Sequence, residues 1–136
     1  LSDLIGRSLS GFGTYNQVFV EDHLWKMQSE VILDLAKKET CIIVGRCADY
    51  ILEDKANCLK VFIYASLEER SKRIVSVYGE SNIAPEKRLK DKDKHRSLFY
   101  NYFTDMKWGE PHNYDICLNS GALGFEKCVD IICSLY

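Results

Sequence analysis

Residues 87–96 concentrate the charge of this chain directly ahead of an aromatic run at 99–103. Between Glu86 and Arg96 stand six Lys/Arg and three Asp/Glu, a local charge of +3. The whole 136-residue chain carries −2, so the remainder sums to −5. A cationic segment on an otherwise acidic protein favours one specific anionic ligand over general affinity for polyanions. Neither nucleic acid nor a membrane surface is therefore expected as a partner.

Two charges of this run share a helix face with apolar side chains. Asp93 and Arg96 are three residues apart, and helical spacing aligns them with Leu89, Tyr100 and Phe103. Because that face makes the apolar contacts, we expect the two charges to point toward the body of the protein or a cleft. The alternative is a basic helix that only faces solvent, the usual explanation of a charge run.

A further arginine, Arg46, follows Gly45 at the end of the apolar run 41–44. A guanidinium in that position could bind a phosphate through two parallel hydrogen bonds. An ion pair between Arg46 and Asp49 or Glu53 in the following turn explains the position of this arginine equally well.

Two more arginines, Arg70 and Arg73, stand three residues apart in a segment of helical pattern. For one of them, an exposed pair between Glu69 and Arg73 is a plausible alternative. Together with Asp93, these cationic sites suggest phosphate chemistry, because phosphoryl transfer mostly requires positioning and cationic stabilisation of charge.

The elements that position these residues alternate between strand and helix. Apolar runs predict strands near 41–45, 59–64 and 114–118, and periodicity predicts helices over 21–38, 66–78, 85–105 and 125–135. Ser66 and Glu69 form a capping box, Gly79 ends that helix, and Pro85 suits the first turn of the next. Residues 1–20 are predicted to be a loop or a mobile segment.

This order predicts an α/β fold, a three-layer and mainly parallel sheet flanked by helices, within a single domain over 1–136. Ligands of such folds bind beyond the carboxyl ends of the strands. The segments that follow the three predicted strands are 45–46, 66–73 and 119–121. We therefore expect the functional residues to gather at that edge.

The six cysteines show neither a C-x-x-C pair nor a Cys/His ligand spacing, so no metal site is predicted. Four of them lie in apolar contexts and are expected to be buried thiols in a reducing cytoplasm: Cys41, Cys117, Cys128 and Cys133. No apolar run approaches the ~20 residues that a membrane helix needs. Composition leaves the oligomeric state open.

Four segments in order resemble the cytidylate kinase-like branch of P-loop nucleoside-monophosphate kinases, and the resemblance spans about 21–135. Residues 42–52 look like its strand and acceptor-site loop, and 66–73 look like the segment that leads into its lid. Residues 91–102 resemble the return helix of the lid, and 113–124 resemble the last strand and the closing helix.

The resemblance implies an incomplete P-loop kinase fold with a helical lid at about 79–96, which uses ATP and Mg²⁺ and a small nucleotide acceptor. Asp93 and Arg96 match the catalytic Asp and Arg of the lid. The positions implied for acceptor and donor binding are Arg46, Asp49 and Arg88 for the acceptor and Arg70 and Arg73 for the donor triphosphate. Lys92 is the alternative to Arg88.

Two departures from the family pattern stand out. No G-x-x-x-x-G-K-[ST] occurs, so the first strand and phosphate loop are expected upstream of residue 1, and the 136 residues alone are expected to be inactive. Classical cytidylate kinases have an Asp two residues before the acceptor Arg, where this chain has Val44. Either Asp49 takes that role or cytosine specificity is lost. A non-catalytic nucleotide- or phosphate-binding module is the alternative function.

Overall fold

The computed structural model describes residues 21–55 and 57–135, which fall into two compact units divided between Ala56 and Asn57. The loop predicted over residues 1–20 lies outside the described residues. None of the helices described is long and apolar enough to cross a membrane. A single domain over 1–136 stays a prediction, and each unit is described by itself.

The first unit contains helix α1, described over 21–38, and the short helix α2, Ala48–Ile51. Helix α1 agrees with the predicted helix, and Ile32 on its predicted apolar face is buried. The other members of that face are exposed at 40% or more: Leu24, Met27, Val31 and Leu35. Helix α1 therefore presents a largely uncovered apolar face within its unit.

The strand predicted near 41–45 is wrong for this structure. Residues 41–44 belong to no strand, and Ile42 and Val44 are 94% and 86% exposed. A parallel strand is held by hydrogen bonds to neighbouring strands. The strands among the described residues pair with each other, so the segment at 41–44 has apolar composition without a sheet partner.

The second unit is a mixed arrangement of helices and strands in the order β1, α3, α4, a 3₁₀ turn, β2, α5 and α6. Their bounds are Val61–Tyr64, Leu67–Tyr78, Pro85–Thr104, Pro111–Asn113, Ile116–Asn119, Ser120–Leu123 and Phe125–Leu135. Strands β1 and β2 pair in parallel, with Val61 opposite Ile116 and Tyr64 opposite Asn119. The parallel pairing of the predicted second and third strands is confirmed, whereas a three-layer sheet is not seen.

The two strands are held together by the residues that immediately precede them. The Lys60 N–H donates to Asp115 Oδ2 at 2.7 Å, and the Asp115 N–H donates to the Lys60 carbonyl at 2.9 Å. Beside them the Phe62 ring packs against Tyr114 at 4.8 Å and edge-on against Trp108 at 5.6 Å. These contacts set the register in which both strands end at one edge.

Local signals define the two helices between the strands. At the start of α3 the Glu69 N–H donates to Ser66 Oγ at 3.2 Å, and the Ser66 N–H donates to Glu69 Oε2 at 3.1 Å. Helix α3 ends at Gly79, whose φ of 77° is favoured by glycine, and α4 begins at Pro85. The predicted capping box, stop and start are confirmed.

Helix α5 lies in close contact with this capping box at Gly121. A Cβ added at Gly121 would collide with the Glu69 carboxylate, which would have to leave Ser66. We expect Gly121→Ala to lower the free energy of unfolding by about 1 kcal/mol, the usual value of a helix cap. Chemical denaturation measures it, and in a Glu69→Ala background the same change should cost little. An equal loss in both backgrounds would contradict this account.

Candidate functional site

The centre of the candidate site is an ion pair between α3 and α4. Arg70 donates through Nη1 to Asp93 Oδ2 at 2.7 Å and through Nη2 to Asp93 Oδ1 at 2.8 Å. The two side chains are 28% and 25% exposed. This two-pronged geometry is the strongest that a guanidinium and a carboxylate can form, and it holds the Arg70 group rigid at a half-buried position.

Arg96 joins the same carboxylate from the next turn of α4. Its Nη1 donates to Asp93 Oδ1 at 3.1 Å, and its side chain is 55% exposed. The Asp93 carboxylate thus binds two guanidinium groups. We call the cluster of Arg70, Asp93 and Arg96 the arginine clamp. Its net charge is +1 and its outer arginine faces solvent, which suits a site that stabilises moving negative charge.

The apolar positions that flank the clamp on α4 agree with the predicted face. Leu89 and Tyr100 are buried, and between them Asp93 is half-buried. Ile74 of α3 is buried as well. Asp93 therefore stands on the packed side of α4, as the spacing indicated, whereas Arg96, predicted to point the same way, is exposed to solvent.

Arg73 is not paired with Glu69, the alternative that spacing allowed. Its guanidinium carbon lies 4.2 Å from the centroid of the Phe125 ring at the start of α6, and Glu69 is used by the capping box. A guanidinium stacked on an aromatic face keeps its edge N–H groups available for an anion. Sequence reasoning did not assign Phe125 this role, because its spacing indicated only the apolar face of α6.

Besides the pair of Arg70 and Asp93, two further contacts tie the segment predicted to be a lid to the end of α3. Arg88 Nη1 donates to the Gly79 carbonyl at 3.3 Å, and Lys92 Nζ lies 5.8 Å from the centroid of the Tyr78 ring. Arg88 and Lys92 are the two residues between which the resemblance did not decide. In this structure both contact the end of α3.

Polar groups gather at the carboxyl ends of β1 and β2, as predicted, but they serve the fold. Asn119 Oδ1 accepts hydrogen bonds from the Gly121 and Ala122 N–H groups, and Ser120 Oγ donates to the Tyr64 carbonyl at 3.1 Å. These side chains cap α5 and lock the turn to β1. They therefore leave the arginines as the anion-binding candidates of this unit.

In the first unit, Arg46 lies in a backbone turn of unusual conformation. Gly45, Arg46 and Cys47 have φ values of 72°, 56° and 54°. The left-handed region costs a non-glycine residue roughly 1–2 kcal/mol. Residues held there against such a cost are concentrated at functional sites.

The Arg46 side chain is exposed and forms no ion pair or hydrogen bond with any described residue, so the alternative of a bridge to Asp49 or Glu53 is not observed. Instead it lines an open groove of about 320 Å³ with four residues of α1, which are Met27, Gln28, Val31 and Ile32. Asp49 is half-buried in the first turn of α2, close enough to Cys47 to affect its pKa.

Cys47 is only 3% exposed, whereas Cys41 and Cys133, predicted to be buried, are exposed. Burial raises the pKa of the Cys47 thiol to about 12, and the charge of Asp49 adds to the increase. The prediction of burial holds for Cys128. Among the described residues, no group of three or more His, Cys, Asp or Glu could hold a metal ion.

We expect Cys47 to resist iodoacetamide at pH 8 while Cys41 and Cys133 react. The thiolate is the nucleophile, and a pKa of about 12 leaves roughly one thiol in ten thousand ionised at that pH. Because folding raises this pKa, the protonated thiol stabilises the fold at neutral pH, and that contribution is lost as pH rises toward 12. Peptide mass spectrometry with a denatured control measures the labelling. Labelling of Cys47 as fast as Cys41 would contradict its burial.

Comparison with known proteins relates this chain to a protein family. Residues 2–122 match the cytidylate kinase-like family. Among curated proteins, a uronate isomerase of Corynebacterium glutamicum is 26% identical over 105 residues, which are 77% of this chain and 20% of that protein. This chain thus spans about one fifth of the length of that relative.

A solved structure shares the fold. The crystal structure of an uncharacterized protein from Eubacterium ventriosum ATCC 27560 has a TM-score of 0.76 and 31% sequence identity to this chain. The match covers 82% of this chain and 63% of the other.

Proposed function

Because the chain belongs to the cytidylate kinase-like family, we propose that it is part of an ATP-dependent kinase that phosphorylates a nucleoside monophosphate, most readily a pyrimidine. The observation that supports this most directly is the arginine clamp, in which Asp93 orients Arg70 and Arg96. A kinase-like family implies a nucleotide substrate, and the clamp offers cationic groups suited to a phosphoryl group.

In the proposed mechanism, the clamp stabilises charge on the phosphoryl group during transfer. The transferred group spreads negative charge over its equatorial oxygens, and fixed cations lower the barrier without reorganising. Arg70 is held by both oxygens of Asp93, so it is preorganised. Arg96, with one hydrogen bond and an exposed side chain, has the freedom to follow the group as it moves.

The remaining arginines are proposed to hold the two substrates. Arg73, stacked on Phe125, presents its edge to the donor triphosphate. In the first unit Arg46 is proposed to bind the acceptor phosphate, and in the second unit Arg88 of the lid is proposed as an acceptor-binding residue. When bound, Mg²⁺ would neutralise part of the charge on the phosphates.

We propose that β1 and β2 belong to a three-layer P-loop sheet. Their parallel pairing supports this, because parallel sheets are found almost only with helices covering both faces. Among the described residues each of these strands has one neighbour in the sheet, and open sheet edges are normally covered in a folded protein. No G-x-x-x-x-G-K-[ST] occurs in residues 1–136, so we propose that these residues alone are inactive.

A coupled assay with ATP, Mg²⁺ and several monophosphates, on the complete gene product, tests the proposed function. We expect turnover with at least one pyrimidine monophosphate. Hydrogen exchange on the same protein should show greater protection of 79–96 when nucleotide is bound, because a lid closes on its ligand. Nucleotide binding without turnover for any acceptor would favour the non-catalytic binding module.

We expect Arg46→Ala to raise the acceptor KM by roughly ten- to a hundredfold with little change in kcat. Arg46 is proposed to hold the acceptor phosphate in both ground and transition states, and loss of such uniform binding raises KM alone. Steady-state kinetics measure it. The matched control is Lys38→Ala, an exposed cation of α1 outside the groove. A fall in kcat with unchanged KM would contradict the assignment.

A further inference from the structure

We propose that Phe125 is a positioning residue, whose ring directs the Arg73 guanidinium toward the donor polyphosphate and away from Glu69. This inference rests on the proposed function, in which Arg73 contacts the donor, and adds the residue that orients this arginine. It arises from a contact between α3 and the start of α6, where the guanidinium carbon of Arg73 lies 4.2 Å from the centroid of the Phe125 ring.

The two residues belong to elements that leave the same edge of the sheet. Arg73 is part of α3, which follows β1, and Phe125 begins α6, which follows β2 and the short helix α5. Because β1 and β2 are parallel, both segments start at the carboxyl edge, where ligands of α/β folds bind. The stack of Arg73 on Phe125 thus joins two elements on the ligand side of the sheet.

The position of the Phe125 ring is set by the turn that precedes it. Asn119 Oδ1 accepts hydrogen bonds from two N–H groups of α5, and Ser120 Oγ donates to the Tyr64 carbonyl at 3.1 Å. Gly124 ends α5 with a φ of 77°, and its N–H donates to the Ser120 carbonyl at 3.0 Å. Phe125 therefore starts α6 from a turn anchored to β1, which makes its half-exposed ring a fixed platform.

Glu69 is the group that competes for Arg73. It lies one helical turn before Arg73, and a glutamate four residues ahead of an arginine is well placed for an ion pair. In the structure Glu69 Oε2 instead accepts hydrogen bonds from the Ser66 N–H at 3.1 Å and from the Ser66 hydroxyl at 2.7 Å. Arg73 forms no ion pair or side-chain hydrogen bond with any described residue. Ser66 thus holds the carboxylate, Phe125 holds the guanidinium, and the two charges stay apart.

The contribution of the stack is a shift in the conformers of an exposed arginine. A cation–π contact at an exposed site raises the stacked population by about two- to fivefold. The apparent affinity for a ligand falls in proportion to the fraction of protein in the competent conformer. A stacked guanidinium keeps its edge N–H groups available, and the oxygens of a polyphosphate can accept them. Phe125 therefore raises the affinity for the donor by orienting Arg73.

Equilibrium binding of ATP–Mg²⁺ and of inorganic triphosphate to the complete gene product tests the proposal. We expect Phe125→Leu to raise both Kd values by about fivefold, because Arg73 loses its stack and pairs with Glu69. Phe125→Tyr keeps the aromatic face, so both Kd values should stay within about twofold of the original. In steady-state kinetics, Phe125→Leu should raise the KM for ATP and leave kcat and the acceptor KM within about twofold.

A second substitution separates orientation from packing. Glu69→Gln removes the competing charge and keeps the capping box, which admits glutamine at this position. We expect it to restore about twofold of the affinity lost in Phe125→Leu and to change the affinity of the unaltered protein by less. In an Arg73→Ala background, Phe125→Leu should cause no further loss of affinity. An equal loss in every background would show that Phe125 acts through packing alone, and the inference would fall.

The stack also has a spectroscopic signature that needs no nucleotide. Protons above the face of an aromatic ring are shifted upfield, so the guanidinium resonances of Arg73 should move downfield in Phe125→Leu. Val129→Ala truncates another half-exposed apolar side chain of α6 and should change neither these resonances nor the Kd values. Arg73 resonances that Phe125→Leu leaves in place would overturn the inference.

The same measurements distinguish this inference from the proposed kinase function. If Phe125→Leu weakens ATP and triphosphate binding as expected but no acceptor is phosphorylated, Phe125 stands as a positioning residue for a bound polyphosphate and the kinase proposal falls. If acceptors are phosphorylated with a KM for ATP that Phe125→Leu does not alter, the kinase proposal stands and the inference falls. If the complete protein binds neither ATP nor triphosphate, both fall. Loss of stability in Phe125→Leu with unchanged Kd values would show that the ring only packs against the fold.

Discussion

Replacing Arg96 by alanine is expected to lower kcat by roughly ten- to a thousandfold, equivalent to about 1.4–4 kcal/mol of transition-state stabilisation. The reason is that Arg96 is proposed to contact charge that moves during transfer, and such an interaction affects kcat more than KM. Its single 3.1 Å bond to Asp93 and its exposure mean that the fold does not depend on it. Steady-state kinetics with saturating ATP and acceptor measure the effect.

Matched variants sharpen this prediction. Arg96→Lys should recover only part of the rate, because a point charge cannot reproduce the planar fork of a guanidinium. Lys94→Ala removes an exposed cation from the same helix and should leave kcat within about twofold of the original. If Arg96→Ala loses several kcal/mol of stability while kinetics per folded molecule stay normal, Arg96 is a structural residue.

The second large effect is expected at Asp93, where Asp93→Ala should lower both stability and kcat. Removal of the carboxylate leaves Arg70 half-buried without its partner and brings two guanidinium groups together with no anion between them. We expect a loss of about 1–3 kcal/mol in the free energy of unfolding, since hydrogen bonds to charged groups contribute about that much. Because both arginines lose their orientation, kcat should fall by about a hundredfold or more.

A double-mutant cycle tests the cause of the stability loss. Arg70→Ala combined with Asp93→Ala should cost clearly less than the sum of the single changes, since each removes the same contact. Asp91→Asn, at an exposed position two residues away, is the control and should have little effect on stability or rate. Additive losses at Arg70 and Asp93 would show that the two side chains do not depend on each other.

The sequence by itself determined the features that arise from neighbours along the chain. The capping box of Ser66 and Glu69, the end of α3 at Gly79 and the start of α4 at Pro85 each depend on a few adjacent residues. The strands predicted at 59–64 and 114–118 were found within two residues of their observed bounds. Side-chain period and cap chemistry are local quantities, so a single sequence displays them.

Only the tertiary structure decided which side chains meet. Arg70 and Asp93 are 23 positions apart and Arg73 stacks on Phe125 of a later helix, and no periodic pattern encodes such pairs. The burial of an apolar side chain likewise depends on another part of the fold that covers it. Ile42 and Val44 belong to a run as apolar as a core strand, yet they are exposed, whereas Cys47 in the polar loop that follows is buried. An apolar composition allows a segment to be buried. Whether its side chains are buried depends on the residues that pack against them in the folded protein.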